Sequence, residues 1–177
     1  GWSVANGQID LAIIGGQLPN ELENLLQVIP YSTDELALVL PTKHQLSNKK
    51  ELMKEDLYKL NFVTLDSQST TRKVVDKLLK DSGLDIQRLK IEMELNSLEA
   101  IKNAVQSGLG ASFLPVVSIE RELAAGTIHK AFVADLEVKR ELKLITNPSR
   151  YTSRASEVFK KNILPQFASL ESPLRHI

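Results

Sequence analysis

The strongest constraint in this chain is a rhythm: short, nearly all-apolar blocks stop abruptly at glycine, proline or a polar run and alternate with longer amphipathic stretches. Ile9-Asp10-Leu11-Ala12-Ile13-Ile14 ends in Gly15-Gly16, Glu35-Leu36-Ala37-Leu38-Val39-Leu40 ends at Pro41, and Asn61-Phe62-Val63-Thr64-Leu65 runs into Asp66-Ser67-Gln68-Ser69-Thr70. Blocks this short suit strands covered on both faces, as the strands of parallel sheets are. Residues 50–60 read as a short helix between the second and third blocks. Beyond the third, Val74, Val75, Leu78 and Leu79 recur at helical spacing and Ser82-Gly83 supplies a stop.

Residues 90–95 alternate charged and apolar side chains, predicting a strand. They lead into Asn96-Ser97-Leu98-Glu99, where Asn96 and Glu99 have capping-box spacing. The helix that follows places Leu98, Ile101 and Val105 on one face and ends at Ser107-Gly108. Residues 110–114 predict a strand, 115–125 a helix closed by Gly126, and 141–145 a strand before Asn147-Pro148. A last helix over 153–170 should carry Ala155, Val158, Phe159 and Leu164 inward, with Pro165 as a kink. Strands alternating with amphipathic helices predict an α/β fold with largely parallel sheets and a ligand site at the carboxyl ends of the strands. Val4-Ala5-Asn6-Gly7 before the first block also echoes Val105-Gln106-Ser107-Gly108 before residues 111–114, as two similar lobes or chance would produce.

Composition removes several function classes. Lysine plus arginine and aspartate plus glutamate each total 22, so no net field draws the chain to nucleic acid or an anionic membrane. No stretch approaches a membrane span, and the N-terminus lacks the layout of a signal peptide. The absence of cysteine excludes disulfides, thiolate metal sites and cysteine nucleophiles. His44, His129 and His176 lie far apart without ligand spacing and read as surface or capping residues. No nucleophile elbow, P-loop, dinucleotide fingerprint or paired metal ligands occur, and Asp10, Asp66 and Glu99 read as turn or cap residues. The chain is therefore expected to have no catalytic residues, no metal and no cofactor.

The segment Asp66-Ser67-Gln68-Ser69-Thr70-Thr71-Arg72 packs hydroxyls and an arginine at a helix start after a buried strand. Free backbone N–H groups and the helix dipole favour an anion there, so a carboxylate or phosphate suits Ser67, Gln68, Ser69, Thr70 and Arg72. Equally, Ser69 or Thr70 simply caps the helix and Arg72 faces water. Asn96 and Ser97 form a second polar helix start. Converging on one cleft, the two starts would hold both ends of a small dianion, with Gly15 and Gly16 giving close backbone approach from the other lobe.

Gly7-Gln8-Ile9-Asp10-Leu11-Ala12-Ile13, residues 35–41 with Lys43-His44-Gln45-Leu46, and Gln106-Ser107-Gly108-Leu109-Gly110, in that order, resemble the effector-binding domain of LysR-type transcriptional regulators. Leu65-Asp66-Ser67-Gln68-Ser69-Thr70, Arg72-Lys73-Val74 and residues 96–105 are most similar to the cyanobacterial and plastid regulators of carbon assimilation. These include the Rubisco-operon, bicarbonate-transporter and NAD(P)H-dehydrogenase regulators.

The resemblance implies a two-lobed, periplasmic-binding-protein-like (type 2) α/β fold with an effector held between the lobes. Lobe one would take residues 1–57 with 140–172, lobe two residues 58–139, and residues 173–177 a tail. Gly15, Gly16, Ser67, Gln68, Ser69, Thr70, Arg72, Asn96 and Ser97 would fall around the effector. That effector would be a small anionic metabolite of the 2-oxoglutarate, 2-phosphoglycolate or ribulose bisphosphate class. Further implications are a cytoplasmic or plastid-stromal setting, a homo-oligomer (dimeric effector domains, a tetramer in full length), and DNA contact only through an N-terminal helix-turn-helix. Neither that element nor the family's first lobe-one strand and helix is visible before Gly1. The main alternative with the same fold is a solute-binding protein of a transport system. A two-lobed enzyme would need a cleft acid, base or cofactor lysine that the sequence does not offer.

Overall fold

The apolar rhythm resolves into seven strands and six α-helices in the computed structural model, which describes residues 1–168, with side chains through 162. In chain order these are α1 (Trp2–Ala5), β1 (Leu11–Ile14), α2 (Asn20–Glu23), β2 (Gln27–Pro41), β3 (Asn61–Leu65), α3 (Thr70–Asp81) and β4 (Lys90–Leu95). Then come α4 (Leu98–Gln106), β5 (Ser112–Pro115), α5 (Glu120–Ala124), β6 (Ile128–Ala131), β7 (Lys139–Thr146) and α6 (Arg154–Ala168). The expected helix over residues 50–60 is a single 3-10 segment, Lys54–Lys59.

Two compact units form: Asp34–Arg140, and Gly1–Thr33 with the chain from Glu141 onward. The chain leaves one unit inside β2 and returns inside β7. The crossings fall between residues 33 and 34 and between residues 140 and 141. Leu36, Leu38, Leu40, Leu52 and Leu57 pack into one cluster with Phe62, Val75 and Leu79, which assigns all of residues 34–57 to the Asp34–Arg140 unit. Residues 173–177 lie outside the described residues.

In the Asp34–Arg140 unit the apolar half of β2 is covered on both faces. Leu36, Leu38 and Leu40 face the cluster that includes Val75 and Leu79 of α3. Ala37 and Val39 face a second cluster with Ile101, Ala104 and Val105 of α4 and Leu114 of β5. Each fully buried branched side chain contributes about 1.5–3 kcal/mol, so a strand apolar on both faces is bound firmly between helix layers. The expectation of largely parallel sheets is not met. β2 pairs antiparallel with both β5 and β6, and β1 antiparallel with β7, whereas β3 and β4 pair in parallel. An unbroken apolar run reports two-sided burial, and a central antiparallel strand achieves this as well as a parallel one.

β3 joins the segment entering β5 through the N–H of Val63 to the Ala111 carbonyl and the N–H of Ala111 to the Asn61 carbonyl, both 2.8 Å. Gly110 makes this approach possible, because a Cβ there would stand 2.6 Å from the Asn61 oxygen.

In the other unit, Val4, Leu22, Leu26 and Ile145 form the core. β1 is only half-buried, with Ile13 exposed, so its block is not the doubly covered strand expected. The Ser153 and Ser156 hydroxyls both donate to the Asp10 carboxylate, which turns Ser156 inward at the start of α6. Ala155, Val158 and Phe159 consequently face out, contrary to the inward stripe expected. The side chains of Leu164 and Pro165 and the expected helix end at Leu170 lie outside what is described. Each unit does contain one of the echoed helix–glycine–strand turns, with Gly7 at φ 74° and Gly108 at φ 84°.

Candidate functional site

Because β3 and β4 run in parallel, their carboxyl ends emerge on one edge of the unit. The loops that follow are joined directly, the N–H of Asp66 donating to the Leu95 carbonyl at 3.1 Å. Asp66 then organises its own turn: its carboxylate accepts from the Gln68 N–H at 2.9 Å and its carbonyl from the Ser69 N–H at 3.0 Å. Ser67, Gln68 and Thr70 are exposed along this edge, and Ser69 is half-buried.

The two helix starts are finished differently. Ser69 occupies the capping position of α3 in extended backbone, yet its side chain makes no cap bond. Twelve residues of helix therefore present their first-turn N–H groups and dipole without a capping side chain. At α4 the Ser97 hydroxyl accepts from the Ala100 N–H at 3.1 Å. That cap falls one residue later than the 96–99 spacing suggested. It leaves Asn96 exposed, while Glu99 pairs with Lys102 at 2.8 Å instead of reaching back. Lys102 is buried and also pairs with Glu122 at 2.9 Å; hydrogen bonds from its ammonium to Glu99 and then Glu122 raise its pKa.

Arg72 neither faces water nor stands free. Its Nε donates to both oxygens of Asp76 at 2.8 and 2.9 Å, and its Nη1 reaches Thr64, the Leu65 carbonyl and Glu94. Two carboxylates on one guanidinium make it a brace between α3, β3 and β4. A cavity of about 30 Å3 lies beneath it between α3 and the sheet, floored by the stacked rings of Phe62 and Phe113. That is room for a water or two, too little for a metabolite.

The structure thus groups Ser67, Gln68, Ser69, Thr70, Asn96 and Ser97 on one edge and sets Arg72 behind it. Gly15 and Gly16 follow β1 in the other unit. Sequence reasoning singled out neither of two residues that reach α3, Arg140 and Asp34. Arg140 donates from Nε and Nη2 to Asp34 Oδ2 at 2.9 and 2.6 Å and from Nη1 to the Thr71 hydroxyl at 3.3 Å. Asp34 and Arg140 lie too far apart in sequence for any spacing signal to pair them. His44 does cap, its Nδ1 accepting from the Leu46 N–H, and His176 lies outside the described residues. Among the described residues no three His, Cys, Asp or Glu side chains gather as metal ligands, and no helix is long and apolar enough to cross a membrane.

Residues 2–168 match the family model of the LysR substrate binding domain. The chain belongs to this family. Over 168 residues this LysR domain is 57% identical to a probable RuBisCO transcriptional regulator of Synechocystis sp., covering 95% of the chain and 49% of the relative. It is also 57% identical to a probable RuBisCO transcriptional regulator of Gracilaria tenuistipitata, covering 95% and 54%. The chain thus spans about half the length of the curated relatives it matches.

Among solved structures, it superposes on the Synechocystis CcmR regulatory domain, determined in complex with 2-PG, with a TM-score of 0.79 at 23% identity. That match covers 94% of this chain and 77% of the other. The cofactor-binding domain of the Cbl transcriptional regulator gives a TM-score of 0.75 at 19% identity, covering 96% and 74%. The fold is therefore the mixed α/β, periplasmic-binding-protein-like fold of LysR effector domains. LysR effector domains bind small metabolites, and the family is not one of enzymes.

Proposed function

We propose that this LysR domain senses a small anionic carbon metabolite and that the regulator containing it controls carbon-assimilation genes. The observation that carries the reading is the uncapped start of α3, fringed by the Ser67, Ser69 and Thr70 hydroxyls and bonded through Asp66 to the loop that opens α4. Unshared N–H groups at a helix start favour a carboxylate or phosphate. Ser67, Gln68, Ser69 and Thr70 are assigned to one end of the ligand, and Asn96 and Ser97 to the other.

The effector class is 2-oxoglutarate, 2-phosphoglycolate or ribulose bisphosphate. The probable RuBisCO regulators among the relatives and the 2-PG complex of CcmR support that choice over the solute-binding reading of the same fold. A ligand that binds one state of the regulator better than another shifts its population, and DNA contact changes with it. DNA would be reached through a helix-turn-helix elsewhere in the protein, in the cytoplasm or plastid stroma. Self-association, as dimers of effector domains and a full-length tetramer, is supported by the outward apolar side chains Val158 and Phe159 on α6.

Calorimetric titration of the intact regulator with the three metabolites tests the reading. Saturable binding to one of them, weakened about tenfold by Ser69→Ala and by Asn96→Ala without loss of fold, is expected for lost hydrogen bonds to a charged ligand. No binding to any of the three would sink the metabolite class, and undiminished binding in both variants would sink the site.

A further inference from the structure

An anion at the start of α3 calls for a positive partner, and three cations lie near. Lys73 is exposed, its Nζ 3.4 Å from the Gln68 side-chain oxygen, so its charge is screened by solvent. Arg72 is held by Asp76 and Glu94, and a ligand drawing on it would have to compete with both carboxylates. Arg140 differs from both. Its side chain is far more sheltered than that of Lys73 and as sheltered as that of Arg72, each arginine being 14% exposed, but it faces one carboxylate, Asp34, through a single oxygen. A third N–H points to the Thr71 hydroxyl at 3.3 Å, beyond the usual hydrogen-bond range and therefore readily exchanged. Thr71 is the second residue of α3, so the guanidinium is already aimed at the first turn of that helix.

We infer that Arg140 is the cation this site offers to an anionic effector, and that Asp34 is the resident carboxylate with which the effector competes. The inference rests on the function proposed above and adds its charged residue. A guanidinium carries five N–H donors, and three are engaged here by Asp34 and Thr71. A planar carboxylate or a phosphate can take two parallel N–H bonds from one guanidinium edge, a stronger partner than the Thr71 hydroxyl. Asp34 and Arg140 are also the first and last residues of the Asp34–Arg140 unit. Sharing the guanidinium with a ligand therefore loosens the ion pair at the point where the chain enters and leaves that unit. The effector's charge would act on those strands directly.

The competition predicts changes of opposite sign, which a merely structural ion pair would not produce. The intact regulator is titrated calorimetrically with 2-oxoglutarate, 2-phosphoglycolate and ribulose bisphosphate as wild type, Asp34→Asn, Arg140→Gln and the double variant, with circular dichroism melts as the fold check. Asp34→Asn is expected to tighten binding several-fold by freeing the guanidinium, and Arg140→Gln to weaken it by about tenfold or more. Arg140→Gln leaves a buried carboxylate unpaired and can lose its fold, so the double variant, which buries no charge there, decides that case: its binding stays weak. Equal weakening by both single substitutions, with wild-type affinity restored in the double variant, overturns the inference while leaving the effector reading intact. A wild type that binds none of the three metabolites overturns both.

Discussion

At Asp56 three donors converge on one buried carboxylate: the ammonium groups of Lys59 and Lys49 at 2.8 and 3.2 Å and the Met53 N–H at 3.1 Å. The Lys59 hydrogen bond leads in holding its pKa down at about 2, followed by that of Met53. Since the folded pKa lies below the unfolded value of about 4, the stabilisation is complete above pH 4 and is lost as pH falls towards 2. Asp56→Asn should cost on the order of 2 kcal/mol in urea unfolding at pH 7 and progressively less at pH 3 and below. A cost independent of pH would remove the carboxylate from the account. Gly110 makes a second residue-scale prediction. Gly110→Ala drives a Cβ against the Asn61 carbonyl, a backbone atom that cannot swing away, so the β3 link to residue 111 should break and the thermal midpoint fall. An unchanged midpoint would show that β3 can shift.

At the scale of elements, the two helix starts separate stability from binding. Ser97→Ala removes a formed cap and should cost about 1 kcal/mol in chemical unfolding. Ser69→Ala removes no cap bond, so its stability should stay close to wild type while metabolite affinity falls. Equal stability losses would mean that Ser69 caps α3 in solution. Elements were legible where the pattern was local: residues 90–95 form β4 as read, and Ser82-Gly83 ends α3, with Gly83 at φ 86°. The outer half of β2 was not, because Gln27-Val28-Ile29-Pro30 has neither alternation nor an apolar run. β6 likewise lacked a pattern of its own and is defined by pairing with β2.

For the whole molecule, the balance of 22 basic and 22 acidic residues predicts that this domain alone makes no saturable complex with non-specific duplex DNA at about 0.15 M salt. Fluorescence anisotropy measures this directly, and a complex that weakens steeply with added salt would reveal a basic face that the total conceals. The candidate edge was legible only in its loops. Ser67, Ser69 and Asn96 stand out because a polar cluster after an apolar strand is a local signal, whereas Arg140 and Asp34 meet through the fold and Arg72 is held both by Asp76 one helical turn on and by Glu94 from β4. By itself, the sequence determined the α/β class, the family and the places where strands hand over to helices, since burial periodicity and turn chemistry act over a few residues. Only the tertiary structure decided strand direction, the crossing points between units, the outward turn of α6 and the pairing of Arg140 with Asp34. Those depend on contacts between residues dozens of positions apart, where the energy of a pairing is set by geometry that no local pattern encodes.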